Sequence, residues 1–231
     1  MDVDIEITEA PDDYSTPLVS RIFKSIPEVY DRLFDVLPAA DLCQVRKLSR
    51  DARIAVQAYE QYTFSPNKLL RRFFYDPLGF RSLQARTGTL ISGSQALQLL
   101  GRCRWPDSDL DIYVWKESAL EVCAWIKDEG YTYKPLYFQT NDLEQTLKSN
   151  IYQVLMKDPV PIDQLHEDEA EEILEDIALY NHNSISNVIN FEKDIGSKVL
   201  KTQVVIAKYS PLEMILSFHS SASLCLATVH R

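Results

Sequence analysis

The chain has 231 residues, a formal net charge of -10 and 45% hydrophobic residues, which is the composition of an ordinary globular protein of one or two domains. Its acidic balance argues against extended, sequence-independent nucleic-acid binding, which depends on a basic surface. No apolar run is long enough to span a membrane, and the acidic N-terminal residues do not resemble a signal peptide. The four cysteines have no metal-ligand spacing, so we expect reduced thiols in an intracellular protein of the cytoplasm or nucleus.

The N-terminal part of the chain divides into a tail and a helical segment. Residues 1–20 are acidic with isolated aliphatic residues, which predicts a flexible tail. Across residues 21–64, apolar residues recur at helical spacing in three short runs. Pro27 lies at the first helical position, Pro38 ends the first helix, and Asp41 is expected to cap the second. Leu42, Val45 and Leu48 are expected on its buried side.

The segment IPEVYDRLFDVLPAADLCQVRKLSRDARIAV resembles an F-box through its Pro, Leu-Pro, Asp-Leu and Leu-Ser-Arg elements. F-boxes bind the Skp-type adaptor of a cullin ubiquitin ligase through an exposed apolar surface, so the resemblance implies such a partner. The family's large aromatic residue after Ser-Arg is replaced here by Asp51-Ala52-Arg53. The alternative interpretation is a helical lead-in to the domain that follows.

Residues 65–231 are expected to form that second domain. The aromatic residues between Tyr59 and Phe80 follow a helical spacing that is typical of core packing rather than of base stacking. Pro77-Leu78-Gly79 predicts a turn. Next, the apolar pair Leu90-Ile91 predicts a short strand, which breaks at Ser92-Gly93-Ser94.

A Gly-Ser turn and two carboxylates carry the chemistry of this domain. Gly93 permits a sharp turn and a close approach by a ligand, and Ser94 is expected to cap a helix that continues through Ala96, Leu97, Leu99 and Leu100. The start of such a helix can bind phosphate. Asp109 and Asp111 lie two apart on a second strand, so both point to one side, while Leu110 and Ile112 take the opposite, buried side.

Two carboxylates held this close are costly without a cation, and Mg²⁺ suits oxygen ligands. The pattern therefore predicts metal-binding and catalytic roles for Asp109 and Asp111, beside a phosphate-binding turn at Gly93 and Ser94. Arg102 and Arg104 are candidates to approach the phosphates, and their alternative role is that of solvated charges on a helix face.

Gly93-Ser94 followed by Asp109-Leu110-Asp111 resembles the signature of the polymerase-beta-type nucleotidyltransferase superfamily. The segments SGS…WPDSDLD and SPLEMILSFHS are similar to those of a fungal nucleotidyltransferase-like group. The resemblance implies an α+β fold with a small mixed sheet and covering helices. It also implies a bound nucleoside triphosphate with Mg²⁺, and transfer of a nucleotide to a hydroxyl group.

The C-terminal half is expected to supply the rest of this fold. Helices are predicted at residues 118–128 and 142–155, and a strand or loop at 131–137. Residues 185–191 and 199–206 predict a hairpin around Asp194–Ser197, and a last helix begins at Ser210 and continues to the end of the sequence. The acidic run from 166 to 176 indicates a solvated helix face rather than metal ligands.

The superfamily places a third carboxylate on the strand beside Asp109 and Asp111, where this sequence has Gln203. An amide accepts hydrogen bonds but cannot ionise to activate a hydroxyl group. Asp163 is a less favoured replacement, because prolines flank it. Three hypotheses stay open: a nucleotidyltransferase, a nucleotide sensor that binds without turnover, and an F-box adaptor whose non-catalytic nucleotidyltransferase-like domain recognises a target.

Overall fold

The computed structural model describes residues 22–23, 27–149 and 184–217. These residues belong to two compact units, divided between Ser65 and Pro66. Several sequence-based expectations fall outside the described residues: the tail at 1–20, Asp163, the acidic run at 166–176, the end of the helix expected at 142–155, and the last helix beyond residue 217.

The first unit contains helices α1 (Pro27–Val36), α2 (Ala39–Val45) and α3 (Arg50–Thr63). Helix α3 begins after Ser49, whose hydroxyl accepts a hydrogen bond from the Ala52 amide at 3.0 Å. The cap predicted at Asp41 is wrong, because α2 begins at Ala39 and Asp41 lies inside its first turn. Leu48 is also not in the core, since 62% of it is exposed. The core of this unit consists of Phe34, Leu42, Ala55, Val56 and Tyr59.

The second unit combines helices with a sheet, which confirms the α+β class. Its elements are α4 (Pro66–Leu70), α5 (Pro77–Thr87), β1 (Leu90–Ser92), α6 (Gly93–Gly101), β2 (Leu110–Trp115), α7 (Ala119–Asp128), β3 (Thr132–Lys134), α8 (Leu143–Lys148), β4 (Ile185–Asp194), β5 (Val199–Ala207) and α9 (Pro211–Leu216). The turn expected at residues 77–79 is wrong. These residues open α5, where the Asp76 carboxylate accepts the Gly79 amide at 2.8 Å.

The sheet has five strands in the order β1-β2-β5-β4-β3. Strand β2 runs parallel to β5, and the other neighbouring strands are antiparallel. The predicted hairpin is confirmed, because β4 and β5 pair over their whole length around a turn that includes Gly196. Strand β2 therefore lies between the Gly-Ser turn that follows β1 and the strand that carries Gln203.

The two faces of the sheet differ in what covers them. Leu110 and Ile112 are fully buried on the face that packs against α5 and α7, as the alternation of β2 predicts. On the other face, Tyr113 of β2 joins a smaller core cluster that includes Met214 of α9. Asp111 precedes Tyr113 by two positions on this second face, so its side chain borders that apolar cluster.

The described aromatic residues divide between core and surface. Phe73, Phe74 and Phe80 are buried, as their spacing predicts, whereas Tyr62 is 68% exposed. Among the described cysteines, Cys43, Cys103 and Cys123 are free thiols. In the described ranges, no helix combines the length and apolar character that a membrane crossing requires.

Candidate functional site

Strand register brings the two predicted carboxylates to one place on the sheet. Asp111 of β2 lies opposite Ser92 of β1 on one side and opposite Gln203 of β5 on the other. Asp109 directly precedes β2. Because it lies two residues before Asp111, its side chain extends toward the same face of the sheet. Both aspartates are half-buried. The predicted convergence of the Gly-Ser turn and the Asp-x-Asp pair is therefore present in the fold.

Gly93 lies in direct contact with the Asp111 carboxylate. Its backbone has φ +70°, a conformation that side chains other than hydrogen rarely permit. A Cβ atom at this position would lie 2.2 Å from Oδ2 of Asp111, closer than any stable contact. The absence of a side chain at residue 93 is thus a requirement of the site, because it allows the carboxylate to reach the helix start.

Ser94 connects the helix start to the other aspartate. Its hydroxyl donates to the backbone carbonyl of Asp109 at 3.4 Å. The prediction that Ser94 caps the helix is wrong, because α6 begins at Gly93 and Ser92 occupies the N-cap position. The Ser92 side chain makes no capping hydrogen bond to this helix.

The ionised forms of Asp109 and Asp111 are disfavoured in this site. Burial, and to a smaller extent the neighbouring Asp109, together raise the pKa of Asp111 to about 7. Burial also raises the pKa of Asp109, while Lys201 and Arg72 oppose that rise. A bound cation would remove the repulsion, so the pair is arranged to prefer a positive partner.

The ligand set fits a hard cation that shares its coordination with a substrate. In the described part of the chain, no group of three or more His, Cys, Asp or Glu side chains could hold a metal ion. Mg²⁺ often binds through only one or two carboxylates together with substrate phosphates. Asp109 and Asp111 match that requirement, and the Gln203 amide, opposite Asp111 in the next strand, has an oxygen that could serve as a neutral ligand.

Gln203 is part of a row of polar side chains across the sheet. Its Nε2 donates to Oδ1 of Asn190 at 3.1 Å, and the two residues are register partners in β5 and β4. Asp111, Gln203 and Asn190 therefore lie side by side on the adjacent strands β2, β5 and β4. In this row a single carboxylate is followed by two neutral amides.

Two buried glutamines position the loop before Asp109, and the sequence interpretation missed them. Gln98 donates to Oγ of Ser108 at 2.6 Å and accepts the Trp105 amide at 2.6 Å. Gln95 donates to the same Ser108 hydroxyl at 2.6 Å and to the Ser108 carbonyl at 2.9 Å. Because Ser108 is adjacent to Asp109, these bonds fix the carboxylate relative to α6.

Helix α6 buries two amide side chains and exposes an apolar one. Gln95 and Gln98 are 2% and 5% exposed, whereas Leu100 is 49% exposed. A buried amide is stable only with hydrogen-bond partners, and the loop at 105–108 supplies them. The spacing of Gln95 and Gln98, three residues apart on one helix face, is the signal that could have indicated this role.

Arg102 and Arg104, singled out from the sequence, are not among the charged groups that shift the pKa values of Asp109 and Asp111. Arg102 ends α6 in a left-handed conformation with φ 54°, and Arg104 is exposed. The positive side chains that act on Asp109 are Lys201 and Arg72. Lys201 lies near Asp109 because β5 pairs with β2, and sequence spacing alone does not reveal that pairing.

We expect Gly93→Ala to displace the Asp111 carboxylate and to lower the free energy of unfolding by about 2–4 kcal/mol, since it combines backbone strain with a steric clash. Gly196→Ala is the matched control. Gly196 has φ +83°, but a Cβ there would have no neighbour within 4 Å. Urea unfolding of the full chain should show a smaller loss, about 1 kcal/mol, for the control. Equal losses would mean that Gly93 and Asp111 are not in tight contact.

Asp111 should also make stability depend on pH. Its folded pKa of about 7 lies above its ordinary value of 3.8, so the unfolded chain ionises first as the pH rises. Unfolding then releases a proton, and stability falls from about pH 4 to pH 7 by roughly 2–4 kcal/mol through this group. Asp111→Asn should lack that loss in metal-free buffer. Parallel stability profiles of the two proteins would contradict the raised pKa.

No protein-family model, curated protein or solved structure matches this chain.

Proposed function

We propose that this protein binds a nucleoside triphosphate with Mg²⁺ at Asp109 and Asp111, and that its transfer activity is weak or absent. The observation that carries the proposal is the contact between the Gly93 backbone and the Asp111 carboxylate. It brings a helix start, which favours phosphate, next to a carboxylate pair, which favours a cation. A metal-bound polyphosphate carries both kinds of group.

Each of these residues has a distinct part in binding. Asp109 and Asp111 would hold the ion, and the helix start at Gly93 and Ser94 would receive phosphate oxygens. Mg²⁺ bound there would neutralise phosphate charge and the repulsion within the pair. Gln95 and Gln98 keep the loop of Asp109 in position, so the pair needs little reorganisation on binding.

The weak transfer follows from Gln203. In the polymerase-beta-type nucleotidyltransferases that the sequence resembles, a carboxylate at this strand position activates the attacking hydroxyl. The Gln203 amide donates to Asn190 and has no ionised form that could remove a proton. A missing general base typically costs about 10²–10⁴-fold in rate. We therefore place the protein nearer to a nucleotide-binding sensor than to an efficient transferase.

Calorimetric titration of ATP, GTP, CTP and UTP into the full chain, with Mg²⁺ or with EDTA, tests the binding proposal. At least one triphosphate should bind only with Mg²⁺, and Asp111→Asn should weaken it at least tenfold. Asp128→Asn, an exposed aspartate at the end of α7, should bind like the unaltered protein. Absence of Mg²⁺-dependent binding for all four triphosphates would reject the proposal.

The same samples test the role of Gln203 through release of labelled pyrophosphate. The isosteric change Gln203→Glu should increase turnover at least tenfold over the unaltered protein, because it supplies a group that can ionise. Its nucleotide affinity should change less than that of Asp111→Asn. Rapid turnover by the unaltered protein, with no gain in Gln203→Glu, would show that another residue serves as base.

The first unit favours a second function, that of an F-box-type adaptor. Several large apolar residues of this unit are exposed rather than packed in its core. Val36 is 76% exposed and Leu48 is 62% exposed, and Leu33 and Ile54 are about half exposed. An exposed apolar set on a small helical unit is typical of a partner surface. The partner would be a Skp-type adaptor.

Capture by a purified Skp-type adaptor tests this second function. The double variant Val36→Asp, Leu48→Asp should abolish capture, because it places charge in the buried part of the interface. Leu120→Asp is the control, since Leu120 is 53% exposed in the second unit. Leu42 is unsuitable for this test, because it is 1% exposed and its replacement by Asp would disrupt the core. Undiminished capture by the double variant would reject the adaptor function.

A further inference from the structure

The loop that leads into Asp109 carries carboxylates, and positively charged side chains contact it. Nη2 of Arg72 and Nζ of Lys198 both donate to the backbone carbonyl oxygen of Pro106, the latter at 2.5 Å. Two cations on one neutral oxygen repel each other at short range. Arg104 adds to this repulsion, because it lowers the pKa of Arg72 together with burial, which is the larger cause. An anion in contact with both groups would relieve it.

The available counter-charge is weak on this side of the loop. The Asp107 carboxylate lies 3.8 Å from Nζ of Lys198, but its side chain is 96% exposed and its field is screened by water. Asp109 interacts with Lys201 and Arg72, yet in the proposed function it is engaged by the bound cation. A protein with net charge -10 thus has a local cationic rim at its candidate site.

A surface depression of about 270 Å³ adjoins this rim. Buried Phe73 and Leu200 contribute apolar surface to it, and its polar surface comes from the ammonium groups of Lys198 and Lys201, the carboxylates of Asp107 and Asp109, and Ser108. Its volume lies below the roughly 300–1,000 Å³ of pockets that enclose whole drug-sized ligands. It suits one or two phosphate groups rather than a complete nucleoside.

We propose that Arg72, Lys198 and Lys201 form a phosphate-binding subsite, the Pro106 subsite, next to Asp109. Guanidinium and ammonium groups bind phosphate oxygens through charge-assisted hydrogen bonds, and Arg72 can present two parallel donors. The phosphate has two conceivable sources: the terminal phosphates of the nucleotide, or a phosphate carried by the molecule that accepts or accompanies it. Its adjacency to a nucleotide rests on the proposed function, whereas its affinity for phosphate does not.

Titration of inorganic pyrophosphate into the full chain in EDTA tests the Pro106 subsite without any metal. The unaltered protein should bind pyrophosphate with an affinity that falls as salt rises. Arg72→Gln and Lys198→Gln should each weaken binding at least tenfold. Lys116→Gln removes the same charge at the opposite end of β2 and should leave binding within twofold. Asp109→Asn should bind pyrophosphate as well as or better than the unaltered protein.

Two outcomes would overturn the subsite. One is that the unaltered protein does not bind pyrophosphate, in which case Arg72 and Lys198 serve only to tether the loop. The other is an equal loss in Lys116→Gln, which would indicate general attraction by net charge. Pyrophosphate binding that persists while Mg²⁺-dependent triphosphate binding is absent would uphold the subsite and reject the proposed function alone.

A competition experiment then separates the two sources of phosphate. If pyrophosphate competes with Mg²⁺-ATP but not with Mg²⁺-AMP, the subsite receives the terminal phosphates of the nucleotide. If pyrophosphate and Mg²⁺-ATP bind together, it receives the phosphate of a second molecule. Both results support a phosphate subsite. The subsite is contradicted if no pyrophosphate binds and if neither pyrophosphate nor Lys198→Gln changes the binding of Mg²⁺-ATP or Mg²⁺-AMP.

Discussion

The close packing of a carboxylate against a glycine backbone determines how this site is built. Asp111 reaches the start of α6 only because residue 93 has no side chain and adopts positive φ. The contact depends in turn on β1 pairing with β2 so that Ser92 lies opposite Asp111. A one-residue slip of β1 along β2 would turn the β1 side chains to the other face of the sheet and move the start of α6 away from Asp111. Three strand residues in β1 therefore decide whether the turn and the carboxylates meet.

In the proposed function, the polar row across the sheet separates the groups for binding from those for turnover. Asp111 supplies charge, whereas Gln203 and Asn190 continue the row with amides that bond to each other. Amides retain the shape and the hydrogen bonds that a folded sheet needs, and they avoid a third negative charge beside a pair whose ionisation is already costly. The row thus presents a carboxylate that attracts a cation, whereas its amides cannot remove a proton.

Much of this architecture was readable from local patterns. The alternation Asp109-Leu110-Asp111-Ile112 correctly separates a buried face from a polar one, and the hairpin of β4 and β5 follows from two apolar runs around a Gly-containing turn. Features that depend on distant partners were not readable. Gln95 and Gln98 are buried because a loop seven to thirteen residues later bonds to them. Lys198 and Lys201 meet Asp107 and Asp109 only through strand pairing.

The most direct test is diffraction from crystals of the full chain grown with Mn²⁺ and a non-hydrolysable triphosphate, because manganese replaces Mg²⁺ and gives an anomalous signal. We predict an anomalous peak in contact with carboxylate oxygens of both Asp109 and Asp111, with phosphate density against the backbone of Gly93. A peak bound elsewhere, or a triphosphate that avoids the start of α6, would contradict the central claim that these groups form one nucleotide site.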